Sequence, residues 1–183
     1  MTDPSRPGPP PYLLGSMIGL TGGSAFVLVN RDELPSPWPV VALAAWVVLA
    51  LVAVYALFVR RSSPPPSGGP RPRAGAVYAI SVIAMVLVFV VGFQVLKGFD
   101  LAGLMPALAL AAVGAHFIPF GAVFGAGRLF VSLGASLTVI GILGLLLGAF
   151  VGSQWAPAAA VLGGLVMVGL LAASSLMLPR RSA

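Results

Sequence analysis

The longest uncharged run of this chain decides which solvent the protein folds in. From Leu129 to Pro179 the chain has 51 residues without one charged side chain. A single helix of that length would measure about 76 Å, whereas the hydrocarbon core of a bilayer is roughly 30 Å thick. The run is therefore predicted to cross a membrane, turn and cross again. We expect the turn at 152–157, Gly-Ser-Gln-Trp-Ala-Pro, because this segment is polar, small and ends in proline.

The composition agrees with a membrane environment. Hydrophobic residues make up 59% of the chain and charged residues 8%, whereas a soluble domain carries about 25% charged residues. Because backbone polar groups in lipid must bond within the protein, the spans are helices or a closed barrel. Long unbroken apolar runs favour helices over the short alternating segments of a barrel. The predicted fold class is all-α, a polytopic transmembrane helical bundle.

Four shorter uncharged stretches each accommodate one further span of about 20 residues. The chain is therefore predicted to have six spans arranged as three hairpins, at residues 12–29, 38–59, 75–96, 101–120, 130–151 and 156–178. The remaining segments are predicted to be a disordered Pro-rich tail, a Pro-rich linker and a basic C-terminal tail, at 1–11, 60–74 and 179–183. Pro106 falls inside the fourth span and is expected to kink it.

The basic residues indicate which end of the bundle faces the cytoplasm. One side of the predicted bundle receives eight of them, which are Arg6, Arg60, Arg61, Arg71, Arg73, Arg128, Arg180 and Arg181. The other side receives two, Arg31 and Lys97. Since cytoplasmic loops carry an excess of Lys and Arg, both termini are predicted to be cytoplasmic. The bias toward Ala, Gly, Val, Pro and Arg is typical of a GC-rich bacterial coding sequence and predicts a bacterial plasma (inner) membrane.

The residue types that the chain lacks disfavour several functional classes. It has no cysteine and one histidine, which excludes thiolate metal sites and any multi-histidine site within one chain, so we expect no metal or cofactor. The basic residues lie at membrane boundaries rather than among aromatic residues on a polar face, so nucleic acid is not an expected partner. P-loop, dinucleotide-fold, zincin and serine-hydrolase signatures are missing, and we predict no catalytic residue.

His116 is the polar residue that most strongly suggests a site, because it lies within a predicted span near its cytoplasmic end. Tyr12, Tyr55 and Tyr78 are predicted at a similar depth, and Arg128 follows the end of that span. An ionisable residue inside a membrane is a candidate functional site by default, and histidine titrates near neutral pH. These residues form a candidate binding site. The alternative is that His116 bonds a tyrosine or a backbone carbonyl and only locks helix packing.

The residues around His116 also carry a resemblance. The run 114–124, Gly-Ala-His-Phe-Ile-Pro-Phe-Gly-Ala-Val-Phe, resembles a His-Phe-x-Pro helix-end motif of small bacterial multi-spanning integral membrane proteins of uncharacterised function. The resemblance implies that His116 and Pro119 belong to one local design, and it implies no activity.

A second candidate site consists of polar residues predicted on the outer face, which are Asp32, Glu33, Gln94, Lys97 and Asp100. Paired carboxylates bind cations or supply an acid for catalysis. Because Arg31 and Lys97 nearly neutralise the carboxylates, the alternative is that these residues are solvated charges at the membrane boundary.

Small residues at four-residue spacing indicate how the helices pack. The stripes are Gly15, Gly19 and Gly23 on the first span, Gly103, Ala107, Ala111 and Ala115 on the fourth, and Gly144, Gly148 and Gly152 on the fifth. In lipid, where burying leucine against leucine gains little, such stripes allow helices to approach closely. The stripes serve packing within the chain, or the glycines form a seam with a membrane-protein partner or with a second copy of the chain.

Three functions are compatible with these observations. The first is a non-enzymatic membrane module that binds a partner, a lipid or a small solute, which the lack of catalytic groups favours. The second is a permease-like carrier or channel that uses the kinked fourth span and His116. The third is a small membrane enzyme with acid chemistry from Asp32, Glu33 or Asp100. No charged residue lies at the centre of a predicted span, which disfavours ion-coupled pumping.

Overall fold

The computed structural model describes residues 11–59, 72–123 and 127–177, and every regular element in these ranges is helical. The helices are α1 (Pro11–Asn30), α2 (Trp38–Val54), α3 (Ala74–Gly98), α4 (Met105–Phe117), α5 (Phe120–Val123), α6 (Gly127–Phe150) and α7 (Trp155–Met177). Arg31–Glu33 and Ala102–Leu104 form 3-10 turns, and the π-helical turn Tyr55–Val59 extends α2. The predicted tail 1–11 and linker 60–74 lie outside the described residues except at 11, 72, 73 and 74, and the predicted tail 179–183 lies wholly outside them.

The apolar runs of the sequence form membrane-length helices. Within the described ranges, five helical segments are long and apolar enough to cross a membrane, at Trp38–Val59, Ala74–Gly98, Ala102–Val123, Arg128–Phe150 and Trp155–Met177. The protein is therefore an all-helical, multi-pass membrane protein. Helix α1 is 20 residues long, which corresponds to about 30 Å. Its crossing of the bilayer as a sixth span stays a prediction.

Helix α7 is the centre of the bundle. It packs against α1, α2, α4 and α6, and it is the most buried of the membrane-length segments. Val168 on α7 is completely buried, in a cluster with Ala53 of α2 and Ala172 of α7 itself. Helix α3 is the opposite case, since it packs mainly against α4 and α5 and leaves most of its surface exposed.

Contacts between small residues show that neighbouring helices run in opposite directions. Gly19 on α1 lies against Leu171 on α7, and Gly23, one turn later, lies against Val168, one turn earlier on α7. Helices α1 and α7 are therefore antiparallel. A Cβ atom placed on Gly164 of α7 would lie 2.6 Å from the carbonyl oxygen of Gly23. The two backbones approach this closely only because both positions are glycine.

Helices α4 and α6 also approach each other closely at glycine residues. A Cβ atom on Gly114 would meet the backbone nitrogen of Thr138, and one on Gly141 would meet the backbone of Ala111. A Cβ atom on Gly134 would lie 2.7 Å from the carbonyl oxygen of Gly114. At these glycines, which form the seam between the two helices, the backbones of α4 and α6 approach so closely that a Cβ atom has no room, and the side chains of Thr138 and Ile118 fill the space beside them.

Most of the predicted glycine stripes face neighbours in the same chain. Gly19 and Gly23 face α7, Gly144 faces Ala107 and Ala159, and Gly148 faces Leu104. These contacts account for the four glycines by packing within the chain. The ends of the stripes differ, because Gly15 has open space around it and Gly152 faces Gln154 in the turn that follows α6.

The fourth span is interrupted at a different proline from the one that the sequence suggested. The prediction that Pro106 kinks this span is wrong, because Pro106 lies in the first turn of α4, directly after the 3-10 turn. An amide hydrogen is not needed at that position, and the fixed φ of proline suits a helix start. The α-helix stops instead at Ile118 and Pro119, and the chain resumes as the short helix α5.

The connections between helices define the two ends of the bundle. The 3-10 turn with Asp32 and Glu33 packs against α7, and Leu34 after it lies against Val161 near the start of α7. Gly103, which follows Asp100, lies beside Ser153 in the turn before α7. These connections therefore share one end, called here the acidic end. At the opposite end, called here the His116 end, α3 begins, α4 finishes and α6 begins.

Replacing Gly141 by alanine is expected to lower the free energy of unfolding by about 1–3 kcal/mol, the usual cost of overpacking. The new methyl group would meet backbone atoms of Ala111 and Ala107, which cannot rotate away. Thermal unfolding of the purified protein in detergent measures the effect. Gly75→Ala is the matched control, because Gly75 is also helical and has nothing within 4 Å of a Cβ atom. An equal loss in both variants would contradict the proposed role of the seam.

Candidate functional site

His116 lies in a group of aromatic rings contributed by four helices. This aromatic cluster consists of Tyr78 on α3, His116 and Phe117 on α4, Phe120 on α5 and Phe130 on α6. The imidazole centroid is 4.7 Å from the ring of Phe120 and 6.4 Å from the ring of Tyr78, and both pairs meet edge to face. This is the favourable arrangement of aromatic pairs, in which the positive edge of one ring meets the negative face of another.

The remaining rings extend the cluster toward α6. Phe117 and Phe130 stack with centroids 6.3 Å apart, and Phe120 meets Phe130 edge to face at 5.8 Å. Phe120 is buried. The cluster therefore fixes α3 and α5 to the closely packed pair α4 and α6.

The polar atoms of His116 are only partly satisfied. Its Nδ1 atom is buried and has no hydrogen-bond partner among the described residues. The imidazole interacts with the backbone of Ser81 on α3, one turn beyond Tyr78. A buried nitrogen without a hydrogen-bond partner lowers stability. Packing against the neighbouring rings must therefore hold the imidazole in place more than hydrogen bonds of Nδ1 do.

The structure brings together some of the residues predicted around His116 and separates others. Tyr78 lies next to His116, as described above. Tyr55 lies in the π-helical turn, which packs against α2 and α7, and its side chain is exposed. Tyr12 lies in the first turn of α1, and its side chain is not among the described ones. A similar depth in the membrane did not place Tyr55 and Tyr78 on the same side of the bundle.

Arg128 lies near the aromatic cluster but faces a different surface. It lines a shallow, open depression together with residues one to two turns along α6 and one residue of α5, which are Val131, Ser132, Ala135 and Gly121. Gly121 follows Phe120 of the cluster, and Val131 follows Phe130. The depression and the cluster are therefore neighbouring features of the His116 end.

The residues of the predicted outer site lie at the acidic end, and their side chains are exposed. Arg31 and Asp32 form an ion pair, with 3.3 Å between Nε and Oδ1. That 3-10 turn packs against α1, α2 and α7, whereas α3, which carries Gln94 and Lys97, packs mainly against α4 and α5. Among the described residues there is no cluster of three or more His, Asp or Glu side chains that would hold a metal ion.

Asp100 has a clear structural role. Its φ of 57° lies in the left-handed region, which aspartate tolerates better than most residues. The amide of Leu101 donates to the carbonyl of Leu96, and the amide of Asp100 donates to the carbonyl of Lys97. These two bonds are the Schellman arrangement that terminates a helix, so Asp100 ends α3.

Sequence reasoning missed the phenylalanines of the aromatic cluster and the buried Ser81. Phe117 and Phe120 are three residues apart, and Phe130 follows in the next membrane-length helix. Their spacing around a lone histidine was the available signal. Phenylalanine is so common in apolar helices that the signal did not stand out from ordinary packing.

The comparisons with known proteins add no identification. No protein-family model, curated protein or solved structure matches this chain.

Replacing His116 by phenylalanine is expected to leave the free energy of unfolding within about 1 kcal/mol of the starting protein. The ring contacts are kept, and removal of an unpartnered nitrogen offsets the lost interaction with Ser81. His116→Ala removes the ring and is expected to cost about 2–4 kcal/mol. Thermal unfolding in detergent compares the two variants. A phenylalanine variant as unstable as the alanine variant would show that a polar contact of the imidazole stabilises the bundle.

Proposed function

We propose that the chain is a non-enzymatic membrane module of six spans that binds a lipid or a membrane-protein partner at its His116 end. The observation that carries this proposal is the backbone contact between α4 and α6 at Gly114, Gly134 and Gly141. The ring of His116 contacts Tyr78 and Phe120 at the end of the bundle. The features available for recognition are then the rings of the cluster and the depression at Arg128.

The carrier alternative depends on space between the fourth and fifth spans. Ala107 and Ala111 contact α6 through Gly144 and Gly141, and Leu110 fills the space beside Gly163 of α7. A transport path along α4 would have to open these contacts. Pro106 provides no hinge for such a movement, because it lies at the start of α4.

The enzyme alternative depends on two carboxylates that share a pocket. The exposed Asp32 pairs with the partly buried Arg31, and Asp100 terminates a helix that packs elsewhere in the bundle. General acid catalysis requires a carboxyl group whose surroundings hold the proton near the reacting atom. Exposed side chains at a helix end do not provide such surroundings, which supports a binding role over a catalytic one.

The charge distribution supports a cytoplasmic location for the His116 end. Of the described residues, Arg73 and Arg128 lie at this end, whereas Asp32, Glu33 and Asp100 lie at the acidic end. Lys and Arg concentrate on the cytoplasmic side of membrane proteins. With α1 as the first of six spans, both termini are then cytoplasmic.

The absence of cysteine from the sequence allows a direct test of this topology with single-cysteine variants. Glu33→Cys and Lys97→Cys are expected to react with a membrane-impermeant maleimide in intact cells. Ser5→Cys and Arg73→Cys are expected to react only after permeabilisation. Glu33 and Ser5 flank α1, so labelling of both from the same side would rule out a sixth span. Labelling of Lys97 only after permeabilisation would reverse the orientation.

Native mass spectrometry of the protein, extracted in mild detergent, tests the proposed function. The protein is expected to retain noncovalent phospholipid or a stoichiometric partner protein, because a binding module keeps its ligand during extraction. The parallel measurement is proton and ion flux into liposomes that contain the purified protein. Flux that exceeds that of empty liposomes, and that His116→Ala abolishes, would support the carrier and contradict the proposed function.

A further inference from the structure

The depression at the start of α6 has one charged end and one apolar end. Arg128, Val131, Ser132 and Ala135 follow one face of α6, and all four side chains are exposed. Arg128 and Ala135 are seven positions apart along the helix, a distance of about 10 Å. Gly121 on α5 also lines the depression.

This arrangement matches the shape of a lipid molecule. Arg128 lies at the end of the span, where headgroups lie, and Ala135 lies two turns farther toward the middle of the bilayer. Ser132 already donates its hydroxyl to the carbonyl of Leu129, at 3.1 Å. The guanidinium of Arg128 is therefore the group that a charged headgroup would meet, and Val131 and Ala135 provide an apolar surface for a chain.

The described part of the protein provides no counter-charge for Arg128. The carboxylates in this part are Asp32, Glu33 and Asp100, and all three lie at the acidic end. The ion pair found among the described residues joins Arg31 to Asp32 instead. An arginine at the edge of a membrane span pairs well with phosphate, because its planar fork of donors matches two phosphate oxygens.

We propose that the depression formed by Gly121, Arg128, Val131, Ser132 and Ala135 binds an anionic phospholipid. Arg128 pairs with the headgroup phosphate, and one acyl chain lies along Val131 and Ala135. Basic sites between membrane helices on the cytoplasmic side recognise anionic headgroups in this way. The inference rests on the proposed binding function and specifies its ligand class and its site.

The test is a titration of the full-length protein in detergent with phosphatidylglycerol or phosphatidylcholine, followed by native mass spectrometry. Phosphatidylglycerol is expected to bind more tightly than phosphatidylcholine. Arg128→Gln is expected to weaken phosphatidylglycerol binding about fivefold, which corresponds to about 1 kcal/mol for one basic residue at the membrane surface. Ala135→Trp fills the apolar end and is expected to weaken binding without a change of charge.

Arg73→Gln is the matched control, because Arg73 is an exposed arginine of the same end that lies outside the depression. It is expected to change phosphatidylglycerol binding less than twofold. Equal weakening by Arg73→Gln and Arg128→Gln would overturn the site in favour of a general attraction to positive charge. Displacement of the lipid by inorganic phosphate, together with an unchanged affinity in Ala135→Trp, would identify a free-anion site instead.

The outcomes also separate this inference from the proposed function. If the starting protein retains phospholipid and both Arg128→Gln and Ala135→Trp retain it equally well, the lipid binds elsewhere and only the inference fails. If the starting protein retains neither lipid nor partner protein, both the inference and the proposed function fail. Thermal unfolding of each variant shows whether the bundle is intact, and Ala135→Trp tests the site if Arg128→Gln does not fold.

Discussion

Close approach of helix backbones is the constraint on which the rest of this structure depends. In lipid, helices gain little from burying apolar side chains against each other, so dispersion contacts at short range must hold them. Gly23 meets Gly164, Gly114 meets Thr138, and Gly141 meets Ala111 at distances that leave no room for a Cβ atom. These contacts fix α1 to α7 and α4 to α6, and they thereby set where the aromatic cluster and the depression at Arg128 can lie.

The sequence predicted the environment and the helical class well, because bilayer thickness and backbone hydrogen bonding leave few solutions for a run such as Leu129–Pro179. It predicted less about which helices touch. A glycine stripe marks a smooth face but not the partner of that face, and α1 packs chiefly on α7, far along the chain. The role of Pro106 was predicted wrongly for a similar reason. Hydropathy delimits an apolar segment but not the residue at which its α-helix begins, and Pro106 lies in the first turn of α4.

The candidate site was predictable in one dimension only. Counting residues from the membrane boundary gives depth, which placed Tyr55 and Tyr78 at the same level as His116. The angle around the bundle depends on packing, and packing puts Tyr78 beside His116 while Tyr55 faces away with α2. Asp100 shows the converse, because a carboxylate that looked chemically available turned out to be part of a helix terminus.

The central position of α7 has a consequence for how the protein is made. Helices α1, α2, α4 and α6 all pack against it, yet it is the last described helix to leave the ribosome. Until it enters the membrane, Gly23 on α1 and Leu110 on α4 face lipid or other proteins instead of Gly164 and Gly163. Helices α4 and α6 already have each other as partners at that stage, whereas α1 gains its main neighbour only when α7 has been synthesised. The α4–α6 pair is therefore expected to assemble first, and α1 to dock last.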